Sequence, residues 1–210
     1  MGSQDYIVYV VDDDIRMREA LRELFASHDI LSATFGSVAE YVEYAKPDLP
    51  GCLILDVELP DINGLDFQRQ LRNANHPPIV FITGHGDIPS TVRAIKDGAV
   101  DFLAKPFSQQ NLMAAVDAAV ACDRLAREER SERTLLQQRY ASLTPRESQV
   151  LPLIVGGLLN KQAAAELGIS EVTLQIHRSR IMQKMAADSF ADLVRMAGRL
   201  NIALEHTKPQ

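Results

Sequence analysis

Between Tyr6 and Phe107 the chain returns four times to a short, unbroken apolar run, and each run gives way to residues with helical spacing. That alternation limits the possible folds more than any other feature. The runs are Tyr6–Val11, Gly51–Asp56 (GCLILD), PPIVFITG and DFLAKPF, with the weaker LSATF segment as a fifth. Runs this short and β-branched read as strands, and strands without polar alternation are buried on both faces. Helical spacing marks Ile15–Ser27, where Met17, Leu21, Leu24 and Phe25 recur on one side, and also Val38–Ala45, Leu65–Asn73, Ile88–Asp97 and Gln109–Ala121. The pattern predicts a five-stranded parallel sheet covered by helices on both faces.

The texture changes after Ala121. CDRLAREERSERTLLQQRYASL has no Gly or Pro, mixes both charge signs and sustains no heptad, so a solvated helical linker is expected over 123–142. Beyond Leu143 the pattern is all-helical with short loops. Thr144, Pro145 and Glu147 form a helix start, Gly156-Gly157 stops that helix, NKQAAAELG is a second helix, and Ser170 and Ser189 open two more. Pro152 lies inside the first of these four helices, where it removes a donor and crowds the Ser148 carbonyl, so a kink or early break is expected. The formal charge of −6 is uneven: residues 1–120 carry 9 basic and 18 acidic side chains, residues 144–210 carry 8 and 6. The asymmetry suits two domains with different partners. No apolar run is long enough to span a bilayer, so no membrane role is expected. Cys52 and Cys122 lie far apart without metal-type spacing, which fits reduced thiols in a cytoplasmic protein.

Polar residues end the apolar runs: Asp12 and Asp13 follow the first, Asp56 ends CLILD, Thr83 ends IVFIT, and Lys105 ends FLAK. Parallel strands bring these ends to one edge, where open α/β sheets bind ligands. Adjacent carboxylates repel unless a cation joins them. A hard divalent ion such as Mg²⁺ (or Mn²⁺) takes oxygen ligands and keeps open positions for phosphate oxygens. One carboxylate can then attack phosphorus to give an aspartyl phosphate, with Thr83 and Lys105 neutralising the phosphoryl oxygens. Taken singly, each Asp could be a helix N-cap, and Asp14 is read as one. His85 has no His or Cys companion and reads as a surface residue.

On VVDDD, LILDVELPDINGLDF, VFITGHGD and GAVDFLAKPF, residues 5–122 resemble the receiver domain of two-component response regulators, a flavodoxin-like doubly wound α/β fold. The resemblance implies that Asp56 is phosphorylated by a sensor histidine kinase. It implies a metal held by Asp12, Asp13, Asp56 and the backbone carbonyl of Glu58, with Asp13 the more direct ligand. It also implies Thr83 and Phe102 as the switch pair, Lys105 as the phosphate-neutralising cation, and a cis peptide before Pro106.

Residues 143–204 resemble a LuxR-type helix-turn-helix domain, and the whole chain resembles the NarL/FixJ group, with texture similar to regulators of aromatic-compound catabolism of the styrene type. In the third helix of this region Leu174, Ile181 and Met185, with His177 between, form a packing stripe. Gln175, Ile176, Ser179 and Gln183 point elsewhere, flanked by Arg178, Arg180 and Lys184. Such a face suits an adenine edge, a thymine methyl and phosphates. Thr173, Asn160, Lys161 and His177 are further phosphate-contact candidates. The resemblance implies a phosphorylation-favoured homodimer that binds double-stranded promoter DNA in a bacterial cytoplasm and works with RNA polymerase, activation being the expected outcome. Two other readings fit less well. A Mg²⁺-dependent phosphatase of the haloacid-dehalogenase type wants Asp where Glu58 stands, so catalytic turnover is not expected. An RNA-binding output domain lacks an aromatic stacking platform after residue 143.

Overall fold

The computed structural model describes residues 5–71, 75–84 and 88–202, and the chain divides into two compact units, 1–127 and 128–210. In the first, β1 (Ile7–Val11), β2 (Leu31–Phe35), β3 (Gly51–Asp56), β4 (Ile79–Thr83) and β5 (Asp101–Ala104) form one parallel sheet in the order β2-β1-β3-β4-β5. Helices α1 (Ile15–Ser27), α2 (Val38–Glu43), α3 (Gly64–Leu71) and α4 (Ile88–Lys96) connect the strands, and α5 (Gln109–Ala141) follows β5.

Period-two side-chain alternation splits the strands' apolar residues between two cores. Tyr9, Val11, Leu53, Leu55 and Phe81 face Val38, Tyr41, Leu65, Phe67 and Ala94 of α2, α3 and α4. Val8, Val10, Ile54, Val80 and Ile82 face Leu21 and Phe25 of α1 and Leu112 and Val116 of α5. Burial on both faces explains why β1, β3 and β4 are unbroken apolar runs. Cys52 is buried and Cys122 exposed, and neither is in a disulfide.

The middle of α5 is pinned to the start of β3. Asp123, 3% exposed, accepts the Gly51 amide (2.9 Å) and Arg127 Nε (2.9 Å), while Arg127 also reaches Asp48. Gly51 is required there, since a Cβ would meet the Ile7 carbonyl oxygen at 2.9 Å.

The second unit contains α6 (Pro145–Val155), α7 (Asn160–Leu167), α8 (Glu171–Met185) and α9 (Phe190–Arg199) around Val150, Leu151, Ile154, Ala163, Leu174, Ile181, Met185 and Leu193. Thr144 and Glu147 form the reciprocal capping box that opens α6, and Ser170 and Ser189 cap α8 and α9 through the amides of Thr173 and Asp192. Gly168, with φ +64°, closes α7 in the left-handed conformation that glycine adopts without strain.

Local detail departs from expectation at Pro152 and along the linker. Pro152 does not end α6, which runs on to Val155. Leu153, Ile154 and Val155 are buried and hold the last turn, so the single missing donor is tolerated. The MAAD turn before α9 closes without glycine: Ala186 takes a φ of 52° and Ala187 donates to the Met182 carbonyl (3.0 Å). The segment expected as a linker is helical up to Ala141 but divided between the units, α5 being one helix of 33 residues. Residues from Glu128 onward belong to the second unit, where Leu136 is buried, Tyr140 packs on the core, Arg139 donates to the Met185 carbonyl (3.2 Å) and Arg199 pairs with Glu132.

Candidate functional site

Sheet register assembles the first site. Val11 lies level with Leu55, so Asp12 and Asp56 leave neighbouring strands at the same height. Asp56 is level with Ile82 and Thr83 with Ala104, which brings Thr83 and Lys105 to the same carboxyl edge. Strand order reverses between β1 and β3, the crevice where such sheets hold ligands.

Lys105 Nζ lies 2.7 Å from Asp12 Oδ2 and 2.7 Å from Asp56 Oδ2. Asp12 and Thr83 are fully buried and Asp56 is 5% exposed, whereas Asp13 is exposed. Carboxylate oxygens of Asp12, Asp13 and Asp56 all lie within 4.8 Å of one another. The peptide before Pro106 is cis.

One ammonium between two buried carboxylates leaves negative charge uncompensated. Burial raises the Asp12 carboxyl above its ordinary range, opposed by hydrogen bonds from Lys105 and the Asp14 amide. Burial also acts to lower the Lys105 ammonium, but hydrogen bonds to Asp12 and Asp56 outweigh it and hold the group protonated. A donor set of three hard oxygens, one exposed and two buried, fits Mg²⁺ or Mn²⁺. The Glu58 side chain is exposed and its amide donates to Asp56 Oδ1 (3.1 Å), which orients the carboxylate. Phe102 is half-buried against Phe81, ring centroids 6.1 Å apart and tilted by 44°. Asp14 caps α1 by accepting the Arg16 amide (2.9 Å). His85 lies outside the described residues.

Two supports were not read from the sequence. Arg18 Nη1 donates to the carbonyls of Asp12 (2.6 Å) and Asp13 (2.9 Å), fixing the loop that carries both acids. Gly64 opens α3 against the end of β3: a Cβ there would stand 2.3 Å from the Asp56 carbonyl oxygen. The glycine in the Ile62-Asn63-Gly64 turn was a visible signal, but only the tertiary approach gives it a reason.

In the second unit α8 divides into faces as its spacing predicts. Leu174, Ile181 and Met185 are fully buried. Gln175, Ser179 and Arg180 are exposed and Ile176 is 47% exposed. Lys161, at the start of α7, is exposed too. Thr173 is half-buried, its hydroxyl 2.9 Å from that of Ser170. His177 is half-buried with Nδ1 enclosed and without a hydrogen bond.

Two of the expected flanking cations have partners inside the domain. Lys184 Nζ binds the Glu147 carboxylate (2.7 Å) and the Ser142 carbonyl (3.1 Å). Arg178 hydrogen-bonds Asn160 and lies 4.8 Å over the Phe190 ring. Spacing along α8 puts both beside the exposed face, but it could not reveal that a buried Glu147 stands within reach.

The "Response regulator receiver domain" family matches residues 8–117, and the family "Bacterial regulatory proteins, luxR family" matches residues 141–197. The chain is 51% identical over 208 residues to Nodulation protein W of Bradyrhizobium diazoefficiens, covering 99% of this chain and 92% of the relative. It is 44% identical over 209 residues to Response regulator protein TodT of Pseudomonas putida, covering 98% and 91%. The solved structure of the response regulator StyR is similar with a TM-score of 0.81 at 45% identity, covering 93% of this chain and 99% of that one. With a strand-edge acid cluster on a receiver fold and an exposed helix face on a LuxR-type fold, the chain belongs to the response regulators, as a transcription regulator of the FixJ, TodT and StyR type.

Proposed function

We propose that Asp56 accepts a phosphoryl group from a sensor histidine kinase, and that the phosphorylated chain dimerises and binds promoter DNA, activating transcription with RNA polymerase in the cytoplasm. The support is the buried set at the sheet edge, above all Lys105 Nζ at 2.7 Å from both Asp12 and Asp56. An Asp56 carboxylate oxygen attacks phosphorus, the P–O bond forms as the P–N bond to the kinase imidazole breaks, and the imidazole leaves with the bonding electron pair and gains a proton. Lys105 neutralises one phosphoryl oxygen, the Thr83 hydroxyl donates to another, and the Glu58 amide keeps the acceptor carboxylate aimed. Asp12, Asp13, Asp56 and the Glu58 carbonyl would hold Mg²⁺ or Mn²⁺, which when bound shields the approaching charges. The site takes up phosphate once per cycle and is not a turnover enzyme.

Withdrawal of Thr83 toward the new phosphate frees space beside half-buried Phe102, whose rotation reshapes the receiver surface. Phosphorylation biases an existing equilibrium, so some DNA binding without it is expected. On the output side Gln175, Ile176 and Ser179 read bases, while Arg180, Lys161 and Thr173 contact phosphates. His177 packs beneath them, and Arg178 with Asn160 steadies the helix pair. The domains are taken as 5–122 and 143–204, with α5 running between them.

The test is intact-mass analysis of the full chain with Mg²⁺ and a small acyl phosphate donor, beside Asp56→Asn. One base-labile phosphate on the wild type and none on the variant is expected. A stable adduct on both, or uptake elsewhere than Asp56, overturns the assignment.

A further inference from the structure

The helix face proposed to read bases has one more member, and it is apolar. Val172, at the second position of α8, is 68% exposed. Ile176, one turn later, is 47% exposed. With Gln175 and Ser179 they fall at i, i+3, i+4 and i+7, which is one stripe of an α-helix. The opposite side of the helix, Leu174, Ile181 and Met185, is completely enclosed, so this stripe has no role in packing the domain.

A solvated stripe on a helix ordinarily carries Lys and Glu, as the exposed part of α5 does. This one carries no charge over two turns. A β-branched valine in the first turn adds nothing to helix propensity and, at this exposure, little to burial. Exposed Arg180 and Lys161 are basic neighbours suited to the phosphates of a duplex. The Ser170 hydroxyl, bound to the amide (3.1 Å) and hydroxyl of Thr173, holds this first turn in place.

We infer that Val172 is a specificity-determining residue, which together with Ile176 reads two thymine 5-methyl groups in the major groove. Methyl contact is the one sequence signal an aliphatic side chain can take from a base edge, and only thymine offers it. The residues lie about 6 Å apart along the helix axis, and bases are stacked about 3.4 Å apart on each strand. The two thymines therefore lie no more than two steps apart in each half-site, with Gln175 free to reach an adenine between or beside them. The inference rests on the proposed DNA-reading face and adds to it the letter that face prefers.

The experiment uses the full chain, with and without a small phosphodonor. A random duplex pool is selected for binding, and each thymine of the winning site is then replaced singly by deoxyuridine, which lacks only the methyl. Each contacted methyl is worth about fourfold in affinity, the value of one buried carbon group. Two thymines in each half-site should show that loss with the wild type. One loss should vanish in Val172→Ala and the other in Ile176→Ala. Val172 is too exposed for its replacement to unfold the domain, and an unchanged melting temperature confirms that. If no deoxyuridine position is coupled to Val172, while Gln175→Ala and Arg180→Ala still weaken the selected site, the inference about Val172 is overturned and the reading face stands. If no sequence is enriched and none of these variants alters binding, the reading face and the inference fall together.

Discussion

Replacing Lys184 separates a packing role from a DNA-contact role. Its ammonium is 2.7 Å from a Glu147 carboxylate whose side chain is 2% exposed, while Lys184 itself is 34% exposed. In Lys184→Met the stem is retained and the charge lost. Glu147 keeps the Thr144 amide (2.8 Å) but is left a buried carboxylate without its cation. Removing one partner of a buried pair costs about 3–5 kcal/mol, and the partial access of water through the Lys184 side brings the expectation to about 2–3 kcal/mol. For a domain of this size each kcal/mol moves the melting temperature by about 4–8 °C, so a fall of roughly 10–20 °C is expected. Calorimetry of the full chain gives the shift, and hydrogen exchange in α6 and α8 assigns the transition to the second unit. Replacing both residues by Met should recover most of the loss, because an apolar pair has no charge to desolvate. The salt dependence of DNA binding should keep its slope. A melting temperature that stays put while the slope falls by about 0.9, the signature of one lost phosphate contact, would refute the argument and return Lys184 to the DNA.

The same pair makes acid stability specific. Hydrogen bonding from Lys184 holds the Glu147 carboxyl at about 2 against an ordinary 4.5, so its contribution is complete above about pH 4.5 and lost as pH falls toward 2; urea titrations of wild type and Glu147→Gln should converge over that window. Gly64→Ala should abolish phosphate uptake and destabilise the first unit by about 3 kcal/mol or more, since its Cβ would stand 2.3 Å from the Asp56 carbonyl oxygen; uptake by a normally folded variant would contradict this. Removing divalent ions with a chelator should stop labelling of Asp56 and adding Mg²⁺ should restore it, whereas labelling that persists in the chelator would eliminate the metal role. Asp123→Ala should lower first-unit stability by about 2–3 kcal/mol, because the Gly51 amide and Arg127 both lose a buried acceptor, and hydrogen exchange at Gly51 should rise; an unchanged exchange rate would count against the clamp.

The sequence by itself determined the sheet, because strands buried on both faces must be apolar throughout and Tyr6–Val11, GCLILD and IVFIT could be little else. It also determined which side chains meet at the sheet edge, since parallel strands bring their carboxyl ends together: Asp12, Asp56, Thr83 and Lys105 arrive by topology alone. Helix starts were legible at Asp14, Thr144, Ser170 and Ser189 because capping is local chemistry. Tertiary structure decided what depends on distant partners. The survival of α6 past Pro152 follows from the burial of Leu153 to Val155, and within each unit α5 is held by partners distant in sequence, Asp123 by Gly51 in the first and Glu132 by Arg199 in the second. Lys184 and Arg178 could be placed on a helix face by spacing, but long flexible cations go to whichever acceptor lies nearest, and Glu147 and Asn160 are 37 and 18 residues away along the chain. Spacing along one helix carries no information about such partners, which only the packed chain supplies.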